Sequence, residues 1–178
     1  MTELAPDPEF LSTADEAATL WGYLDRYRSI LIRKVEGISE EQARLTLGPS
    51  ELTLLGLVRH MAEVERGWFR RRFMDIDGPF LYCGDASPTD DPDGDFHPGR
   101  DDTVADAIAT LREEIEFART GTAGVAMDTR AKADPTWNRS PGWRPTLRWI
   151  LVHLIEEYAR HCGHADLLRE AADGATGD

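Results

Sequence analysis

Four of the five histidines in this 178-residue chain fall in two segments of helical periodicity, and three of those four share a face with a glutamate. The later segment reads His153-Leu-Ile-Glu-Glu157-Tyr-Ala-Arg-His161-Cys-Gly-His164. Wound at 100° per residue, it brings His153, Glu157, His161 and His164 within an arc of about 80°. Imidazole and carboxylate one helical turn apart are donors that a divalent cation takes, because a step of four residues rises only about 6 Å. The pairs 153/157, 157/161 and 161/164 can therefore share an ion, whereas His153 and His161, about 12 Å apart, cannot. His60 stands on the earlier segment among Leu57, Met61 and Val64. Alone, each of these residues reads as a hydrogen-bonded core or boundary group. Together they point to metal, since unpartnered buried imidazole and carboxylate are costly and one cation between two helices satisfies both.

The elements that must position these donors follow from the apolar spacing. Leu20, Leu24, Tyr27, Leu31 and Val35 predict a first helix over about 15–36, with Arg26, Arg28 and Lys34 elsewhere around the cylinder, and Gly37 stops it. Ser39-Glu-Glu-Gln42 has the form of a capping box opening a short helical turn. Leu54, Leu57, Val58, Met61, Val64, Trp68 and Phe69 predict a second helix over about 53–73. Thr103-x-x-Asp106, followed by Val104, Ile108, Leu111 and Ile115, predicts a third to about Phe117. Pro145 opens a fourth that runs to about Ala172 with the stripe Leu147, Ile150, Leu151, Leu154, Tyr158 and Leu167. Between the second and third, residues 77–101 lack periodicity and carry Asp85, Asp90, Asp91, Asp93 and Asp95 among Pro79, Pro88, Pro92 and Pro98. So long an acidic loop is a candidate lid. A second irregular connection, about 121–142, contains Pro135, Trp137, Pro141 and Trp143. The expected architecture is one all-α domain over 1–178, a four-helix bundle with a leader (1–13) and a short tail (173–178).

Composition narrows the function classes. At 41% apolar the chain can bury one core, and 20 Lys and Arg against 33 Asp and Glu leave a net charge of −13, which repels a phosphate backbone. Nucleic acid is not an expected partner. No apolar run reaches the roughly 18 residues of a membrane span, the N-terminus has no signal-like region, and Cys83 and Cys162 are too few for a disulfide framework, so the chain reads as soluble and cytoplasmic.

The runs Thr53-Leu-Leu-Gly-Leu-Val-Arg-His60-Met-Ala-Glu-Val-Glu-Arg-Gly-Trp68 and Leu147-Arg-Trp-Ile-Leu-Val-His-Leu-Ile-Glu-Glu157-Tyr-Ala-Arg-His161-Cys-Gly-His164-Ala-Asp-Leu-Leu-Arg169 resemble the DinB/YfiT-like four-helix metalloproteins. That family includes the mycothiol-dependent maleylpyruvate isomerases. In it, a histidine of the second helix and an H-x-x-x-H pair of the last hold a metal, and the isomerase-like branch replaces the first histidine of the pair by glutamate. Carried over residue by residue, the resemblance implies His60, Glu157 and His161 as metal ligands. It further implies a divalent metal, with zinc the expected ion and nickel, iron or manganese the alternatives, and a mycothiol-like thiol as cosubstrate. Two histidines and a carboxylate suit zinc but also describe a non-haem iron triad. Three protein ligands leave a position open, the arrangement of a catalytic site. The expected activity is thiol transfer or thiol-dependent isomerisation on an electrophilic small molecule.

Around that centre Glu63, His153 and His164 are candidates to orient a ligand or act as bases, each one turn from a proposed ligand. Arg148 and Arg169 are weaker candidates to bind the thiol or a substrate carboxylate. Glu156 and Arg160 read as an ordinary ion pair. Cys162 is rejected as a nucleophile because it points about 100° away from His161. Cys83 on the acidic loop is a candidate reactive thiol. The run Asp91-Pro-Asp93-Gly-Asp95 only imitates a calcium loop, with its glycine misplaced, and reads as solvated. Two other classes stand beside thiol transfer: a metal-dependent hydrolase, and a non-catalytic helical module in which Trp68, Phe69 and Phe73 face a partner helix. A homodimer is expected.

Overall fold

Each long helix begins on a side-chain oxygen that accepts an otherwise orphaned N–H, the capping role of Asp and Thr. In the computed structural model, which describes residues 8–86, 90–133 and 142–177, a single turn α1 (Pro8–Leu11) precedes α2 (Glu16–Val35), α3 (Leu54–Glu65), α4 (Val104–Thr122) and α5 (Leu147–Asp173). Asp15 caps α2 through the Ala18 N–H at 2.8 Å, and Thr53, Thr103 and Thr146 do the same for α3, α4 and α5 through Gly56, Asp106 and Trp149 at 3.0, 3.1 and 3.3 Å. The short turn at Gln42–Arg44 closes as a reciprocal box, with Ser39 N–H donating to Gln42 Oε1 and Gln42 N–H to Ser39 Oγ, each at 3.1 Å. The fold is the expected all-α bundle.

Four differences from the sequence reading have physical causes. The leader contains α1, and Leu11 is buried against α2. The second helix does reach Phe73, but from Arg66 it is π-helical, closing with the Met74 N–H on the Phe69 carbonyl at 3.0 Å. The third helix runs five residues past Phe117, to Thr122, whose hydroxyl donates to the Ala118 carbonyl at 2.7 Å. Leu167 is 56% exposed and Leu168 takes the core position instead. Nine residues beyond Tyr158 is about 180° around a helix, so Leu167 faces away. The leader residues 1–7, Pro88 of the acidic loop, Pro135, Trp137 and Pro141 of the second connection, and Asp178 of the tail lie outside the described residues.

The core is drawn from every long helix: Leu24, Leu31, Leu57, Met61, Phe69, Leu111, Ile150, Leu154 and Tyr158 are fully buried. Charges read as peripheral also enter it. Arg28 is 2% exposed and pairs bidentately with Glu65, Nε to Oε1 and Nη2 to Oε2, both at 2.7 Å, while Tyr158 donates to Glu65 Oε1 at 2.9 Å. One buried carboxylate thus ties α2, α3 and α5 together. On the opposite side, buried Glu114 of α4 accepts from Arg66 at 2.8 Å and Arg70 at 2.7 Å. The acidic loop then packs back onto α3. Arg59 donates to the carbonyls of Asp95 at 3.2 Å and Gly94 at 2.8 Å and pairs with Asp102. Gly56 is what lets it approach, since a Cβ there would lie 2.6 Å from the Phe96 carbonyl oxygen.

Candidate metal centre

Where α3 faces α5, three donors converge. His60 comes from α3, Glu157 and His161 from successive turns of α5, and one ligand atom of each lies within 4.8 Å of the other two. His161 is buried, while His60 and Glu157 are half-buried, so the cluster opens to one side. Glu157 Oε2 is 3.6 Å from His161 Nε2, and the two imidazole centroids are 4.7 Å apart, edge to face. Tetrahedral zinc with bonds of about 2.1 Å spaces its donors by roughly 3.4 Å, within reach of these side chains by small rotations. Two imidazoles and a carboxylate are a zinc-type donor set, so the residues fit the ion.

The electrostatics suit it. Burial, with the neighbouring His60 and His164, pushes His161 down to about 3, so its ring is neutral and keeps a lone pair at physiological pH. His60 Nδ1 lies 2.7 Å from Asp95 Oδ2. A carboxylate on Nδ1 holds the proton there and leaves Nε2 as the donor on the open side. Burial opposes the charge of Asp95, yet hydrogen bonds with His60, Cys83 and the Phe96 N–H hold its carboxyl below the usual range. Phe96 stacks on the His60 ring at 4.1 Å and fixes its plane.

Asp95 is the residue that sequence reasoning missed. The Asp91–Asp95 run reads as solvated, but Asp95 is 5% exposed. Its only signal was indirect: a half-buried histidine needs an acceptor for its second nitrogen, and spacing does not say which acid supplies it.

The other candidates divide. His164 Nδ1 lies 3.3 Å from His161 Nδ1, within hydrogen-bond reach. His153 stacks on Trp149 at 5.0 Å, with Nε2 3.7 Å from Glu157 Oε1, and burial pushes its pKa down. Glu63 Oε2 accepts from the Leu81 and Tyr82 N–H groups at 2.7 and 2.9 Å. Arg148 and Arg169 are not brought to the centre. Arg148 is engaged by Glu16 and Asp128, and Arg169 pairs with Asp173 while donating to the carbonyls of Lys34 at 2.9 Å and Glu36 at 3.1 Å, where it caps α2. Glu156 and Arg160 form the expected pair at 2.7 Å. Cys83 is buried, and burial together with the charges of Asp95 and Glu63 pushes its thiol up to about 12, which removes it as a nucleophile. Trp68, Phe69 and Phe73 belong to this chain's own core rather than to a partner's helix.

Beside His60 opens a cavity of about 330 Å³, lined in part by Glu63, Trp68, Arg71, Arg72, Trp149 and His153. A helical bundle that carries two histidines and one carboxylate between facing helices, next to an open cavity, is built as the DinB-like metalloprotein class is built. A sequence profile of the family described as mycothiol-S-transferase matches residues 19–174, and the chain belongs to that family. No individual curated protein matches it.

Proposed function

We propose that this protein is a divalent-metal-dependent S-transferase for a low-molecular-weight thiol of the mycothiol type, with His60, Glu157 and His161 as the metal ligands and zinc as the ion. The observation that carries the reading is the convergence of those three donors from α3 and α5 beside an open cavity, in a chain of the mycothiol-S-transferase family. When bound, the ion supplies Lewis acidity that lowers the pKa of a coordinated thiol. The chain's own residues do the rest. Asp95 holds the Nδ1 proton of His60, His164 orients His161, and Phe96 covers the His60 ring against water. The cavity beside His60 would receive the electrophile: the thiol gives up its proton, its sulfur bonds to the electrophilic carbon, and the group displaced from that carbon, chloride in 1-chloro-2,4-dinitrobenzene, leaves as the anion. In thiol-dependent isomerisation the sulfur adds to a conjugated double bond, the resulting single bond rotates, and the thiol is then eliminated, so no group is displaced.

The test is elemental analysis of protein purified without an affinity-metal step, followed by assay of mycothiol consumption against 1-chloro-2,4-dinitrobenzene. One metal per chain, lost in both His60→Ala and Glu157→Gln, and turnover that requires the thiol are expected. Metal-dependent turnover that proceeds without thiol would replace transfer by hydrolysis. A metal-free protein that refuses added zinc would leave a non-catalytic helical module.

A further inference from the structure

His60 is the one candidate donor on α3, yet four residues on one face of that helix reach the acidic loop. Gly56, Arg59, His60 and Glu63 recur at the spacing i, i+3, i+4 and i+7. Gly56 passes so close to the loop that a Cβ there would lie 2.6 Å from the Phe96 carbonyl oxygen. Arg59 donates to the Gly94 and Asp95 carbonyls, His60 meets the Asp95 carboxylate, and Glu63 accepts from the Leu81 and Tyr82 N–H groups. The loop expected as a lid is strapped down along the face that carries the donor.

Arg59 is the centre of that attachment. It is 6% exposed, with Nε 3.2 Å from the Asp95 carbonyl oxygen, Nη2 2.8 Å from that of Gly94, and Nη1 on the Asp102 carboxylate. Its Cζ lies 4.1 Å from the centre of the Tyr82 ring. A guanidinium suits this task because its donors point apart in one plane, so one side chain holds two successive carbonyls and an acid. Gly94 and Asp95 are buried, where a carbonyl without a donor is costly. What the pinned peptide carries is the restraint on His60. Asp95 Oδ1 accepts from the Phe96 N–H at 3.1 Å, Oδ2 lies 2.7 Å from His60 Nδ1, and the Cys83 thiol donates to the same carboxylate. Phe96, the next residue, stacks on the His60 ring at 4.1 Å with 21° between the planes. The acid that sets which nitrogen holds the proton and the wall that sets the plane of the ring are therefore neighbours in sequence. A turn of that one peptide moves both.

We propose that Arg59 is a positioning residue of the candidate metal centre: by holding the Gly94 and Asp95 carbonyls it fixes the tautomer and the ring plane of His60. Gly56 supports it from one turn earlier by letting Phe96 come down onto the helix. The consequence for metal affinity rests on the reading above. The restraint on His60 does not.

Long-range proton–nitrogen NMR of the metal-free full chain reads which nitrogen of each ring carries the proton. It is run at about pH 8, above the ordinary imidazole value of about 6.5, and His60→Ala identifies the His60 signals. The wild-type ring is expected as the Nδ1–H tautomer. Arg59→Gln and Gly56→Ala are expected to shift it to a mixture with the Nε2–H form. Arg59→Lys, which keeps the charge but not the fork, is expected to shift it less. Zinc affinity, from competition with a chromogenic chelator, is expected to fall about tenfold in Arg59→Gln. With Asp95→Asn already present, the same change is expected to cost about threefold or less, because most of its effect passes through Asp95. A His60 tautomer that ignores both Arg59→Gln and Gly56→Ala, or a tenfold loss of zinc affinity that recurs in full beside Asp95→Asn, would overturn the proposal. Where circular dichroism shows that Arg59→Gln does not fold, Arg59→Lys and Gly56→Ala carry the same two measurements. A tautomer shift in a chain that holds no zinc overturns thiol transfer alone, and zinc held by a chain whose His60 tautomer ignores both variants overturns this proposal alone.

Discussion

Asp95 decides which nitrogen His60 presents, because a carboxylate 2.7 Å from Nδ1 leaves only Nε2 for a cation. Asp95→Asn is therefore expected to weaken zinc binding by about 10–100-fold, read by competition with a chromogenic chelator. Unchanged affinity would remove Asp95 from the centre. The pairing of Glu157 with His161 was legible in sequence, since helical period alone brings them to one face, and His60 joined them through the family resemblance. Asp95 was not, because its contact spans 35 residues of chain through a loop that has no period. Cys83 shows the same limit from the other side. A loop cysteine reads as exposed, yet its thiol is pushed up to about 12. At pH 8 its thiolate fraction falls on the order of 10³-fold below that of a free cysteine. Ellman's reagent is expected to find no fast-reacting thiol in the native protein and two in denaturant. Rapid native labelling at Cys83 would contradict the burial.

At the scale of elements, the Arg28–Glu65–Tyr158 cluster clamps α2, α3 and α5 through one buried carboxylate. Removing one member strands the others, so Glu65→Ala is expected to cost about 3–5 kcal/mol in urea denaturation. A loss below 1 kcal/mol would show that the cluster does not hold the helices. The acidic loop is tied by charge as well. His97 Nδ1 lies 2.6 Å from Asp91 Oδ2, and this bond raises the pKa of His97 and lowers that of Asp91. For His97 the contribution is complete below the unfolded value of about 6.5 and is lost as pH rises through the raised value. For Asp91 it is present above about 3.9 and lost as pH falls through the lowered value. The tether is thus strongest at mildly acidic pH and weakens above neutrality. An NMR titration is expected to place His97 above 6.5 and to bring it down toward 6.5 in Asp91→Asn. The helices themselves were legible from caps and apolar period. The π-helical turn of Arg66–Phe73 was not, because it keeps the helical direction while shifting which residues face the core.

Across the whole molecule, the candidate centre joins α3 to α5, so a bound ion reports on the packing of the bundle. Zinc at about 100 times its Kd is expected to stabilise the folded chain by about 2.7 kcal/mol, seen as a rise in Tm that Glu157→Gln abolishes. An equal rise in that variant would place the ion elsewhere. Among the described residues no helix is long and apolar enough to cross a membrane.

The sequence by itself determined the helices, the stripe on α5 and, through family resemblance, the three donors, because each is written in local period, in caps and in short spacings. Only the tertiary structure decided which acid holds His60, that Arg28 and Glu65 are buried together, that Leu168 rather than Leu167 packs inward, and that Trp68, Trp149 and His153 line one cavity with His60. Those are contacts between residues far apart in the chain. They depend on how helices cross and where a loop returns, and no local pattern encodes either.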